Sequence, residues 1–400
     1  MPVETNLKKI KEILASRYIE RVYPSKEKLK NFLKSDKRLA IYIGIDPTAP
    51  HLHLGHSTNF LLLRKFQELG HKVILLIGDF TARIGDPTGK LSTRKSLTEK
   101  EILRNCRGYK TQTGKIIDFV SKENPAELKF NSQWLSQLRL EEIIKLMAKT
   151  TVGQMLKREM FQKRIKEGKE IYLNEFLYPL LQGYDSVAMR IDIEMGGNDQ
   201  TFNMMVGRDL VKDYLNKEKI VISTKLLINP KTQIKLMSKS EGNFIALDDS
   251  PDQMYGKIMA IPDEVVLPIF NLCTELEDEK IKEITKLNPM EAKNKLAKEI
   301  VSIYHGRGKA ERAEREFNKV FREKKLPSKI PEIQIKEEKL NILELLTKTN
   351  LVSSKSEAKR LILQKAVEIN RVLKEDWKEE IKIKKGIVIQ VGKRRFVKVI

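Results

Sequence analysis

The chain has 400 residues and a formal net charge of +22, with 76 Lys and Arg against 54 Asp and Glu. That length allows two or three domains with a sizeable core, and no apolar run approaches the length of a membrane span. A chain this basic expects a polyanion, nucleic acid first. The start, MPVETNLKKIKEIL, has acidic residues and no hydrophobic signal core, so a cytoplasmic protein is expected. Cys106 and Cys273 are far apart in sequence and fit reduced, buried thiols with no metal pattern.

In chain order, Arg38 to Ile45 is predicted as a buried strand carrying Leu39, Ile41, Ile43 and Ile45. His56 to Leu69 reads as an amphipathic helix, and Lys72 to Gly78 (KVILLIG) as a second strand. Strand, helix, strand at this spacing is a βαβ unit of a parallel sheet, so an α/β fold class is expected. Residues 101–172 look helical, with Glu141 to Met147 and Gln154 to Ile165 as clear pieces. Arg190 to Met195 reads as a strand running into Gly196-Gly197-Asn198-Asp199-Gln200, and Lys219 to Thr224 as another. Residues 251–322 show charged-apolar periodicity without strand alternation, which predicts a helical domain. Leu326 to Ile335 carries two prolines and reads as a linker. A helical pair over Asn341 to Gln364 and short strands follow. Residues 336–400 hold 17 Lys and Arg against 9 Asp and Glu, a net of +8, which suits a small nucleic-acid-binding appendage.

Three of the five histidines fall in one hexapeptide, His51-Leu-His53-Leu-Gly-His56. They sit where the first parallel strand ends and a helix begins. That edge binds nucleotides, and a helix N-terminus favours phosphate. Zinc is the rival, but no Cys lies near, and His53 and His56 lack the i, i+4 spacing of a helical ligand pair. No metal site is expected. Tyr178, Gln182 and Asp185 are spaced i, i+4, i+7 and share a face if the segment is helical; a solvated polar stripe is the alternative. Pro179 must then lie in the first turn or kink the helix. Lys90 and Arg94 by themselves read as a solvated basic loop, and Trp134 and Trp377 as packing residues. Ser353-Ser354-Lys355-Ser356-Glu357 matches a capped helix start whose Lys355, Lys359 and Arg360 face phosphate. Lys393, Arg394 and Arg395 add a second basic edge.

His53-Leu-Gly-His56 resembles the HIGH motif of class I aminoacyl-tRNA synthetases, and Leu236-Met237-Ser238-Lys239-Ser240 resembles their KMSKS loop. The first Lys of that loop is Leu236 here, with Lys235 one place upstream as its candidate replacement. Within the class the chain is similar to bacterial-type tyrosyl-tRNA synthetases. The likeness is densest in GIDPTAPHLHLGH, GDFTARIGDPTGK, YPLLQGYDS, GGNDQ, LVSSKSEAKRLI and VGKRRFVKVI, the tail resembling an S-four-like RNA-binding module.

The resemblance implies a Rossmann-like catalytic domain over 1–250, with a helical insertion at about 101–172 and the mobile loop at 236–240. A helical domain at 251–325 would meet the anticodon arm. A linker at 326–338 would lead to an S-four-like α+β domain at 339–400. Tyr42 and Asp185 would hold the phenol of tyrosine. Asp86, Tyr178 and Gln182 would hold its ammonium, with Gln200 nearby. Thr48, His53, His56, Lys90, Arg94 and Lys239 would carry the chemistry at phosphate. Gly44, Asp46, Gly197, Asp199 and Met237 would join His53, His56 and Lys239 around ATP, which would bring Mg²⁺. Partners would be L-tyrosine, ATP, tRNA(Tyr) and a second copy in a homodimer, with no membrane. Competing readings are a tryptophanyl-tRNA synthetase, a small-molecule adenylate-forming nucleotidyltransferase, and a synthetase-derived RNA-binding or splicing factor.

Overall fold

A computed structural model describes all residues except 1, 89–96, 238–243, 322, 324–325, 327–329 and 393–394. The chain divides into two compact units, Met1–Glu311 and Arg312–Ile400.

The first unit is built on a six-stranded sheet. Its strands are β1 (Ile19–Tyr23), β2 (Ala40–Ile45), β3 (Lys72–Ile77), β4 (Glu127–Phe130), β5 (Ile193–Gly197) and β6 (Ile220–Thr224). Their spatial order is β1-β6-β5-β2-β3-β4. All neighbours pair in parallel except β1, an antiparallel edge on β6. β3 and β6 are buried nearly throughout, as strands covered on both faces must be, and they are rich in Ile, Val and Leu. The expected βαβ unit is present, with helix α1 (Ser57–Glu68) between β2 and β3.

The stretch 101–172 is not helical throughout. Residues Glu127–Phe130 form β4 and extend the sheet beyond β3, with Ile74 paired to Glu127 and Ile77 to Phe130. Four residues of alternating charge and apolar side chain at a sheet edge are too few to register as a period.

Helix α2 (Leu173–Ala188) packs along α3 (Thr201–Leu215) over Leu180, Leu181, Val187, Leu210 and Val211. Pro179 lies inside α2, beyond its first turn, so the Glu175 carbonyl loses its usual helical donor. The helices from Pro251 to His305 belong to the first unit, and two of them meet α1. Ser57 Oγ meets Tyr304 Oη at 2.6 Å, and Thr58 Oγ1 donates to Leu272 O at 2.9 Å.

In the second unit, helices α4 (Ile342–Lys348) and α5 (Lys355–Leu363) pack with small sheets around Leu345, Leu346, Ile362, Ile389 and Val391. The expected linker is not wholly irregular: Glu332–Ile333 pairs in parallel with Arg395–Val399. Two ladder residues just after Pro331 leave no signal in the sequence. No helix among the described residues is long and apolar enough to cross a membrane.

Candidate active site

β2 has β3 on one side and β5 on the other, so the chain reverses its direction of travel across the sheet there. Such a switch point leaves a crevice at the carboxyl ends of the strands. A cavity of about 340 Å³ opens at this place. Tyr42, Gly44, Asp46 and Thr48 reach it from β2 and the turn after it, and His53 and His56 from the next turn. Tyr178, Gln182 and Asp185 reach it from one face of α2, which answers the helical-face question raised by their spacing. Asp86, Gly197, Asp199 and Gln200 complete it. Residues scattered from 42 to 200 thus meet in one pocket.

At one end Asp185 is buried. Its Oδ1 accepts from Trp134 Nε1 at 2.8 Å, and its Oδ2 from Asn131 Nδ2 at 3.2 Å. Burial pushes the Asp185 carboxyl well above the ordinary carboxylate range, and the two donors oppose that push. Trp134 is therefore more than a packing residue, because its N–H holds a buried carboxyl group of the pocket. Tyr42 is fully buried beside it, with its phenol pushed well above 10.0 by burial and by Glu194, so it is a neutral hydroxyl. Tyr42 Oη meets Ser186 Oγ at 3.1 Å.

Around the other end, Gln200 Nε2 donates to Asp86 Oδ2 at 2.7 Å, and the Thr88 N–H donates to Asp86 Oδ1 at 2.9 Å. Tyr178 Oη donates to Asp46 Oδ2 at 2.9 Å, and Thr81 Oγ1 donates to Asp46 Oδ1 at 2.7 Å. Arg158, mostly buried, donates to Thr88 Oγ1 at 2.9 Å and stacks on Phe202. Burial draws its pKa down to about 10, with Asp86 opposing, so it stays a cation at neutral pH.

The histidines form a capped single turn. The Gly55 N–H donates to His53 Nδ1 at 3.1 Å, and the His53 N–H to His56 Nδ1 at 3.2 Å. His53 Nδ1 accepts from an N–H, so the hydrogen of its neutral imidazole belongs on Nε2, whereas His56 Nδ1 lies 3.2 Å from both the N and the O of His53. Burial pulls His53 down to about 2 and His56 to about 4. A neutral N–H donor beside a strand end suits phosphate oxygens. The third histidine, His51, is exposed and pairs with Asp248 at 2.8 Å.

Lys235 lines the cavity and pairs with Asp199 Oδ2 at 2.7 Å, with about half of its side chain exposed. Leu236 also lines the cavity. Met237 is buried, has a left-handed backbone with φ 68°, and does not line the cavity. Lys90, Arg94 and Lys239 lie outside the described residues, as do Lys393 and Arg394.

A family profile described as "tRNA synthetases class I (W and Y)" matches residues 34–322. One described as "Tyrosine--tRNA ligase SYY-like C-terminal domain" matches residues 323–399. A tyrosine–tRNA ligase of Carboxydothermus hydrogenoformans is 46% identical, covering 100% of this chain and 99% of that protein. The chain belongs to the class I tyrosyl-tRNA synthetases. One from Thermotoga maritima is 43% identical, with 94% of each chain covered. Among solved structures, a C-terminally truncated mitochondrial tyrosyl-tRNA synthetase of Aspergillus nidulans superposes with a TM-score of 0.66 at 25% identity. It covers 78% of this chain and 94% of that one.

The basic face of this synthetase's second unit is only partly available. Lys355 pairs with Glu344 at 2.7 Å, and the Lys359 ammonium lies 4.0 Å from the centre of the Trp377 ring. Arg395 donates to Leu351 O at 2.6 Å and pairs with Glu357 at 3.2 Å, so part of its charge holds its own fold. Arg360 is exposed. Trp377 packs against the unit's core, as its reading as a packing residue expects.

Sequence reasoning missed Asn131, Ser186, Glu194, Asn203 and Lys219 around the synthetase pocket. For Glu194 a signal existed: it is the one charge in the strand Ile193–Gly197, and a buried charge needs a partner.

Proposed function

We propose that this chain ligates L-tyrosine to tRNA(Tyr) at the expense of ATP, in two steps in the pocket between β2 and β5. The activity is that of its family. The observation carrying the site assignment is the convergence of Asp185, Asp86 and the neutral histidine pair on one cavity.

Asp185 and Tyr42 receive the phenol. If phenylalanine entered instead, the buried Asp185 oxygens would lose water and gain no donor, which is costly. Asp86, Tyr178 and Gln182 receive the ammonium, with Gln200 fixing Asp86. Close approach in a closed pocket strengthens that pairing.

In the first step the tyrosine carboxylate oxygen attacks the α-phosphorus of ATP. An O–P bond forms, the bond to pyrophosphate breaks, and tyrosyl-adenylate remains. In the second, a terminal ribose hydroxyl of the tRNA attacks the tyrosyl carbonyl carbon and AMP leaves. No protein nucleophile is needed. The protein supplies position and charge stabilisation. His53 offers its Nε2–H to phosphate oxygens, with His56 and Thr48 beside it. Lys90, Arg94 and Lys239 act on the leaving pyrophosphate. Gly44, Asp46, Gly197, Asp199 and Met237 belong to the ATP side. Mg²⁺ accompanies ATP through its phosphates; among the described residues no cluster of three or more His, Cys, Asp or Glu is placed to hold a metal.

The second unit anchors tRNA through Lys355, Lys359, Arg360, Lys393, Arg394 and Arg395, and the helical segment at 251–325 faces the anticodon arm. Work in the cytoplasm fits this role. A homodimer is proposed through the helix Leu140–Met147, whose Leu140, Ile144 and Met147 are exposed at i, i+4, i+7. Sedimentation of the full chain would read out that state.

The test is tyrosine-dependent ATP–pyrophosphate exchange without tRNA, beside phenylalanine and tryptophan. Exchange with tyrosine alone is expected. Exchange with tryptophan would remove Tyr42 and Asp185 from the specificity argument.

A further inference from the structure

Three buried polar groups under the pocket have no part in the chemistry above. Lys219 sits one residue before β6 with its side chain fully buried, and Glu194 on β5 is nearly so. The Lys219 ammonium contacts Glu194 Oε2 and donates to Ser186 Oγ at 2.8 Å.

Two glycines make room for this. A Cβ on Gly207 of α3 would lie 2.6 Å from Lys219 Nζ and 3.3 Å from Glu194 Oε2. One on Gly183 of α2 would lie 3.1 Å from the Gly207 backbone. The helices therefore close at that point and leave a slot the size of an ammonium. A buried ion pair is weak evidence for stability, because an apolar pair of the same volume commonly serves as well. What the pair holds in place is the informative question.

It holds two chains of hydrogen bonds. From Ser186 Oγ one link of 3.1 Å reaches Tyr42 Oη. From Glu194 Oε1 another link of 3.2 Å reaches Gln182 Nε2. Gln182 Oε1 accepts from Asn203 Nδ2 at 3.0 Å, and the same amide donates to Gln200 Oε1 at 3.0 Å. Gln200 then donates to Asp86. One buried charge pair is thus connected to the phenol end and to the ammonium end of the pocket.

We propose that Lys219 and Glu194 are a positioning pair for tyrosine, fixing Tyr42 through Ser186 and Gln182 directly before the substrate arrives. The inference rests on the assignment of this pocket to tyrosine. Lys219 does not line the cavity, and Glu194, which does, turns Oε1 to Gln182 and Oε2 to Lys219. Preorganised polar groups spend no binding energy on ordering, so loosening them weakens substrate binding rather than chemistry.

The experiment uses the full chain and steady-state pyrophosphate exchange, with KM for tyrosine, KM for ATP, kcat and the thermal midpoint read together. Lys219→Met with Glu194→Gln removes both charges and keeps an amide facing Gln182 and Ser186. The expected result is a rise of about tenfold in the tyrosine KM with the ATP KM within about twofold, equivalent to one lost hydrogen bond. Ser186→Ala removes only the hydroxyl link, keeps the ion pair, and should raise the tyrosine KM in the same direction if the double variant does not fold. Tyr42→Phe and Asp86→Asn run alongside. If they raise the tyrosine KM while the double variant, or Ser186→Ala in its place, leaves it within about twofold of wild type, the positioning role is overturned and the pair is structural. If no variant moves the tyrosine KM, the pocket assignment itself fails.

Discussion

Trp134 Nε1 donates to Asp185 Oδ1 at 2.8 Å, from a short helix that follows β4 at the edge of the sheet. Asp185 sits on α2, 51 residues away in sequence. The two meet because β4 extends the sheet past β3 and returns the chain beside the pocket. Trp134→Phe keeps the ring and deletes the donor. Leaving a buried acceptor without its donor costs about 1–3 kcal/mol, so kcat/KM for tyrosine should fall roughly fivefold to a hundredfold. The KM for ATP should stay near wild type. Unchanged tyrosine kinetics would mean that Asn131 alone suffices to hold Asp185.

Gly78 offers a steric test of the same pocket. A Cβ there would lie 2.0 Å from Asp46 Oδ1 and 2.4 Å from Thr81 Oγ1. Gly78→Ala displaces the Asp46 carboxyl, the Thr81 hydroxyl or both, and so disturbs the Asp46 contact with Tyr178. A loss of at least about tenfold in exchange rate is expected, since misplacement at a site of this kind is expensive. Thermal unfolding measured in parallel separates this from global destabilisation.

Lys235 occupies the place upstream of the missing motif lysine and pairs with Asp199 at the cavity. If it replaces that lysine, Lys235→Ala should slow tyrosyl-adenylate formation by about tenfold or more in a single-turnover assay, the scale of one lost charge contact in a transition state. A rate within about twofold of wild type would assign Lys235 to orienting Asp199 only.

The histidine turn gives a pH signature. Both imidazoles have pKa values below the ordinary 6.5, at about 2 for His53 and about 4 for His56. Below pH 6.5 the unfolded chain takes up protons that the folded chain refuses. The stability these groups allow is therefore full above 6.5 and is lost as the pH falls toward 4. For His56 alone the loss by about pH 5 is on the order of 2 kcal/mol. The urea midpoint of wild type should drop between about pH 6.5 and pH 5, and His56→Gln should lessen the drop. An equal drop in both would place the acid sensitivity elsewhere.

Much of this was written locally. The apolar run before Gly44, the Gly-His turn and the second apolar run specify a βαβ unit, because helix and strand periods are local properties. The i, i+4, i+7 spacing of Tyr178, Gln182 and Asp185 likewise fixes a shared face once α2 forms. The motif loops carry the family. Other features left no local trace. Glu127–Phe130 and Glu332–Ile333 are strands only because a neighbour supplies their ladder bonds. Trp134 looked like any large apolar residue, since its one donor matters only where a carboxylate comes within reach.

The sequence by itself determined the class of fold, the phosphate-facing turn and the family, since each rests on residues adjacent in the chain or at a fixed helical repeat. Only the tertiary structure decided that Trp134 and Asn131 hold Asp185, that Lys235 meets Asp199, and that Lys219 reaches Glu194 beside Gly207. Those pairings join distant segments. Burial makes them count, because a polar group removed from water must find its partner wherever the fold brings one.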